Sequence, residues 1–96
     1  MLKWLKLKRK KEHRSTFLLL HNGITLTYLF ECKEKEGVFV ARARELGLTA
    51  YEITEKKAAL RLFQMVKYWM DLNKDSGTLA KALNRSGLKW HNVGLV

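Results

Sequence analysis

Two runs of apolar and β-prone residues flank Asn22-Gly23, and from Ala59 onward the apolar positions change to a period near that of a helix. An Asn-Gly pair between such runs predicts a β-hairpin over 16–32 with a two-residue turn. In that hairpin His21 opposes Ile24, Leu19 opposes Leu26 and Phe17 opposes Tyr28. These residues and Phe30 share one sheet face, while Leu18, Leu20, Thr25, Thr27, Leu29 and Glu31 take the other. His21, beside the turn, reads as an exposed strand-end residue with no carboxylate arranged to join it.

The polar, charge-alternating stretch 33–37 reads as a second hairpin loop, and 38–44 as a third strand. If Phe39 pairs near Phe30, then Ala41 and Ala43 point toward a covering helix, and their small side chains let it approach closely. Val38, Val40, Arg42 and Arg44 then point away. That second face mixes Leu18, Leu20, Leu29, Val38 and Val40 with arginines and is too apolar to be fully solvated. It is expected to be covered by the C-terminal segment or by another subunit.

Leu46-Gly47-Leu48 predicts a turn and 49–53 a short fourth strand. Thr54 is a good N-cap, with Glu55 in the first turn. The helix that follows, to about Asn73, buries Ala59, Leu62, Phe63, Val66 and Met70, and turns Lys56, Lys57, Arg61, Gln64, Lys67 and Asp71 outward. Residues 74–77 break it. Thr78 opens a shorter helix with Leu79, Ala82 and Leu83 facing inward, Gly87 ends it, and Leu88 and Trp90 act as packing anchors. The layout is α+β: a three- to four-stranded antiparallel sheet packed on one long helix, followed by a short C-terminal helix. It divides into a basic N-terminal arm, 1–14, and a single domain, 15–96.

Charge changes this picture at one end. The 96-residue chain has a formal charge of +10. Residues 1–14 carry Lys3, Lys6, Lys8, Arg9, Lys10, Lys11 and Arg14 against Glu12 alone, so the arm holds most of it. With Trp4 for stacking, these residues form a candidate nucleic-acid-binding segment. Arg42, Arg44, Lys56, Lys57 and Arg61 would extend its track. No apolar run approaches the roughly 18 residues of a membrane span, and the basic arm is not followed by the apolar core of a secretory signal. The reading is a soluble, cytoplasmic protein that engages no membrane.

Candidate chemistry is sparse. The lone Cys32 rules out an intramolecular disulfide or a CxxC site, and reads as a small buried hydrophobe. Two-metal phosphodiester cleavage needs converging carboxylates, and only Glu31 sits on a strand. Glycine-rich phosphate loops and zinc spacings are absent. The expectation is a non-enzyme with no catalytic residue, metal or cofactor. Its candidate interface is Leu18, Leu20, Leu29, Val38 and Val40 on the sheet with Tyr68 and Trp69 on the helix, and it is expected to form a homodimer or higher homo-oligomer.

Phe30-Glu31, Glu36-Gly37, Phe39-Val40-Ala41, Glu45-Leu46-Gly47, Thr54-Glu55 and Ala58, with Leu62, Val66 and Met70 along the helix, together resemble the HicB-like antitoxins. Gly77-Thr78-Leu79, Leu83 and Gly87-Leu88 are similar to a segment that often follows in that family. The resemblance implies a partial RNase H-like fold of three antiparallel strands and a long helix, and a small toxin protein as partner. Many members of that family also carry a C-terminal DNA-binding unit, which is not expected here because the sequence leaves no room for it. The function expected from it is a protein-interaction module, an antitoxin or a stand-alone relative. The alternative is a small basic nucleic-acid-binding protein working through its arm.

Overall fold

A computed structural model describes residues 13–93 of the chain. Strands β1 (His13–His21) and β2 (Ile24–Lys35) form an antiparallel hairpin in the predicted register, with His21 opposite Ile24, Leu19 opposite Leu26 and Phe17 opposite Tyr28. Asn22 and Gly23 both lie in the left-handed region, at φ 53° and 76°, a conformation that Asn tolerates and Gly adopts freely. Of the basic arm, His13 and Arg14 fall within the described residues, and both belong to β1. Lys3, Trp4, Lys6, Lys8, Arg9, Lys10 and Lys11 lie outside them.

The loop expected over 33–37 is corrected. β2 runs on to Lys35, and Glu36-Gly37 alone, at φ 53° and 83°, make a second tight turn into β3 (Val38–Ala43). With both turn residues left-handed, the hairpin closes without a flexible loop, and pairing continues through Lys33 opposite Val40 and Lys35 opposite Val38. Phe39 therefore faces Glu34 rather than Phe30. The side-chain alternation is unaffected, so Ala41 and Ala43 do face the helix and are fully buried.

A 3-10 turn, Arg44–Leu46, ends at Gly47, whose N–H donates to the Arg44 carbonyl at 3.0 Å, and leads into β4 (Leu48–Glu52). Thr54 then caps helix α1 (Glu55–Asp75), its Oγ1 accepting the Lys57 N–H at 3.1 Å. Ala58, Leu62, Val66 and Met70 form the buried stripe of α1, flanked by partly buried Ala59, Phe63 and Trp69. Helix α2 (Leu79–Ser86) buries Leu83 and ends at left-handed Gly87. Thr78 precedes α2 without capping it; its hydroxyl donates instead to Asn73 Oδ1 at 3.1 Å, which ties the two helices together.

The chain closes with a fifth strand that the sequence pattern does not predict, β5 (Lys89–Asn92). It pairs antiparallel with the start of β2, Trp90 opposite Leu26, and the Val93 N–H reaches the Gly23 carbonyl at 2.8 Å. β2 is thus the spine of the sheet: β1 lines one edge, and β5 and then β3 line the other, with β4 beyond β3. α1 lies against β3 and β4, where the buried sheet residues are Ala41, Ala43 and Ala50. Toward β1 and β2 the larger Leu19, Leu26, Tyr28 and Phe30 fill the core, with Phe17 stacked on Phe30 at 4.5 Å between ring centroids.

Candidate interaction surface

All the helices lie on one side of the sheet, and the other side has no layer over it among the described residues. This corrects the expectation that the C-terminal segment covers it. That segment satisfies its backbone on the free edge of β2, in the plane of the sheet, and so leaves the face open. Leu18 is 69% exposed and Leu20 61%; Val38 is also exposed, and Leu29 and Val40 are half-buried. The five sheet residues expected at an interface do share this face. Tyr68 and Trp69 do not join them: Tyr68 is exposed on α1, and Trp69 packs on the core beside a recess lined by Glu45, Leu46, Asn73 and Arg85.

The strand registers lay out the open face in rows. Arg14, Glu31, Arg42 and Thr49 stand side by side across β1 to β4, and Lys33, Val40 and Tyr51 form the next row. On the other side of the arginine row come Thr16 and Leu29, then Leu18 and Thr27. Aliphatic ground at the hairpin end thus passes into a cationic band.

Glu31 centres that band and is only 8% exposed. A carboxylate taken that far from water needs cationic or hydrogen-bonding partners. Arg44 Nη2 lies 3.1 Å from its Oε1, and Arg14 Nε 3.4 Å from its Oε2. Both guanidinium groups are more than half exposed, so water screens these pairs and they orient the arginines more than they stabilise the fold. Arg42 and Lys33 have no ion-pair partner among the described residues. Between them the face dips into a depression of about 90 Å³ lined by Glu31, Lys33, Val40, Arg42 and Arg44. That is far below the several hundred Å³ of a small-molecule site. The feature is a surface and not a pocket.

On the helix side, the two histidines of β1 meet carboxylates of α1. His21 Nε2 and Asn22 Nδ2 each lie 2.8 Å from Asp71 Oδ1, which corrects the reading of His21 as an unjoined strand end. The fold brings Asp71 there from the far end of the helix. His13 Nδ1 lies 2.5 Å from Glu55 Oε2, and its Nε2 lies 3.1 Å from Ser15 Oγ. This has the serine–histidine–carboxylate order of a hydrolase. It stands at an exposed strand edge, outside the recesses described above.

Cys32, opposite His13 in the register, is buried on the helix side. Burial, with a smaller contribution from the Glu55 charge, pushes its thiol up to about 11, away from a nucleophilic thiolate. Among the described residues no three His, Cys, Asp or Glu side chains converge as metal ligands, and no helix is long and apolar enough to cross a membrane. The Glu31 cluster was accessible to sequence reasoning, because the Asn22-Gly23 register, extended outward, places Arg14 opposite Glu31. The Asp71 contact was not, since it depends on how far α1 runs over the sheet. Comparison with protein-family models, curated proteins and solved structures finds no match to this chain.

Proposed function

We propose that this protein is a non-enzymatic interaction module that takes a protein partner on the open face of its sheet. The observation that carries the proposal is the coexistence of exposed Leu18, Leu20 and Val38 with Arg42 and Lys33, cations that have no ion-pair partner among the described residues, on one sheet face. Single exposed aliphatics are ordinary on any protein, whereas a shared apolar face rimmed by charge is what partners bury. The antiparallel strands followed by one long helix agree with the partial RNase H-like fold expected from the resemblance. In its specific form, the proposal is therefore a cytoplasmic HicB-like antitoxin or a stand-alone relative. The cationic rim complements an acidic partner surface.

Co-expression with the product of the adjacent gene tests this, using wild type beside Val38→Asp and Arg42→Glu. Wild type is expected to copurify with the partner, and the variants to bind at least about tenfold more weakly while remaining folded. Absence of a complex together with no relief of toxicity sinks the antitoxin form.

A second reading, nucleic-acid binding, draws on Arg14, Arg42 and Arg44 sharing the open face with exposed Tyr51. It requires affinity for RNA or DNA that weakens steeply with salt and falls when residues 1–14 are removed. Binding that ignores salt, or none at low salt, eliminates it.

A further inference from the structure

Among the described residues the sheet ends on one side in β1 and on the other in β4 and the four-residue β5, and these edges differ. β4 is five residues long and runs almost directly into α1. β1 spans nine residues in unbroken register with β2, contains no proline, and has no strand on its outer side among the described residues. A long, regular edge of this kind is a template for another strand. The turn determines which groups it offers. In a two-residue hairpin whose turn residues are both left-handed, the flanking pair, here His21 and Ile24, exchanges both backbone hydrogen bonds. The odd-numbered residues of β1 therefore bond to β2, and the backbone N–H and C=O groups of Arg14, Thr16, Leu18 and Leu20 point outward.

We propose that β1 pairs antiparallel with β1 of a second copy, about a two-fold axis at Phe17, to make one sheet continuous across a dimer. This register uses all four outward-facing residues: Arg14 opposes Leu20 of the second copy, and Thr16 opposes Leu18. A shift of two residues in either direction leaves one of the four facing a residue outside the strand. The pairing also places no like charges opposite each other, because the cationic start of each strand meets the aliphatic end of the other. A parallel arrangement would instead bring the two cationic ends together.

Phe17, half-buried and stacked on Phe30, meets its symmetry mate at a closely spaced non-bonded pair. Exposed Leu18 and Leu20 gain cover from Thr16 and the aliphatic stem of Arg14. The contact is isologous, and it joins two open faces into one surface. It requires no foreign partner, so it stands apart from the function proposed above.

Light scattering of the full chain over a range of concentrations tests the proposal, with Thr16→Pro and Leu18→Lys beside wild type. Proline at 16 deletes an outward N–H and leaves the bonds to β2 intact, and lysine at 18 sets like charges near the axis. Wild type is expected at twice the chain mass, and both variants at the chain mass with unchanged circular dichroism. In a Cys32→Ala background, Phe17→Cys is expected to oxidise to a covalent dimer, because among antiparallel pairings only this register brings two copies of residue 17 together. Wild type at the chain mass at every concentration overturns the proposal. So does a dimer that survives Leu18→Lys, whether or not Thr16→Pro folds, or one in which Phe17→Cys fails to cross-link.

Discussion

The same strands build both faces of the sheet, and the two faces have opposite fates. On the helix side, Leu19, Leu26, Tyr28, Phe30, Ala41, Ala43 and Ala50 are buried against α1, and residues of different size complement the distance of the helix at each strand. On the other side Leu18 and Leu20 are exposed, and Glu31 is paired with Arg14 and Arg44. Alternation along a strand decides which face a residue joins. Whether that face is then covered depends on where the remaining chain satisfies its own backbone, and here β5 takes the free edge of β2 rather than the open face.

The largest expected effect sharpens that contrast. Leu62→Ala or Leu26→Ala removes a fully buried side chain and is expected to lower unfolding free energy by about 3 kcal/mol in urea titrations. Leu18→Ala or Leu20→Ala should change it by no more than about 0.5 kcal/mol. Comparable losses on the two faces would break the comparison.

Titration of the helix side comes next. Burial pushes the Cys32 thiol from 9.0 to about 11 and the Tyr28 phenol from 10.0 to about 12. Each group stays neutral to higher pH in the folded chain than in the unfolded chain. The stability they contribute is therefore full below pH 9 and lost as pH rises through 11 and 12. Denaturant midpoints measured from pH 8 to 12 should fall over that window, and Cys32→Ala should remove the earlier part of the fall, on the order of 2 kcal/mol. The smallest effect concerns the Tyr28 hydroxyl, which is buried and has no hydrogen-bond partner among the described residues. Tyr28→Phe relieves an unsatisfied group and should leave stability unchanged or raise it by up to about 1 kcal/mol, seen as a higher melting temperature.

Much of this contrast is legible in the sequence. Asn22-Gly23 alone sets the β1–β2 register and with it the row that brings Arg14 to Glu31. The Ala41 and Ala43 positions foretell the close helix, and Thr54 marks where it starts. Local signals carry these features. Long-range ones escape: Lys89–Asn92 contains a single apolar residue, Trp90, and becomes a strand only because β2 has an edge to offer. Lys33 and Lys35 resemble a loop because their charges mask a strand whose side chains face solvent. The open face escapes for the same reason as β5, since nothing within β1, β2 or β3 records where the C-terminus goes.

The central claim, that the open face is the partner surface, is tested most directly by methyl NMR during titration with the product of the adjacent gene. The methyl signals of Leu18, Leu20, Leu29, Val38 and Val40 are expected to shift or broaden together while those of Leu62 and Val66 stay in place. Changes confined to Leu60 and Leu72, on the outer side of α1, would contradict it.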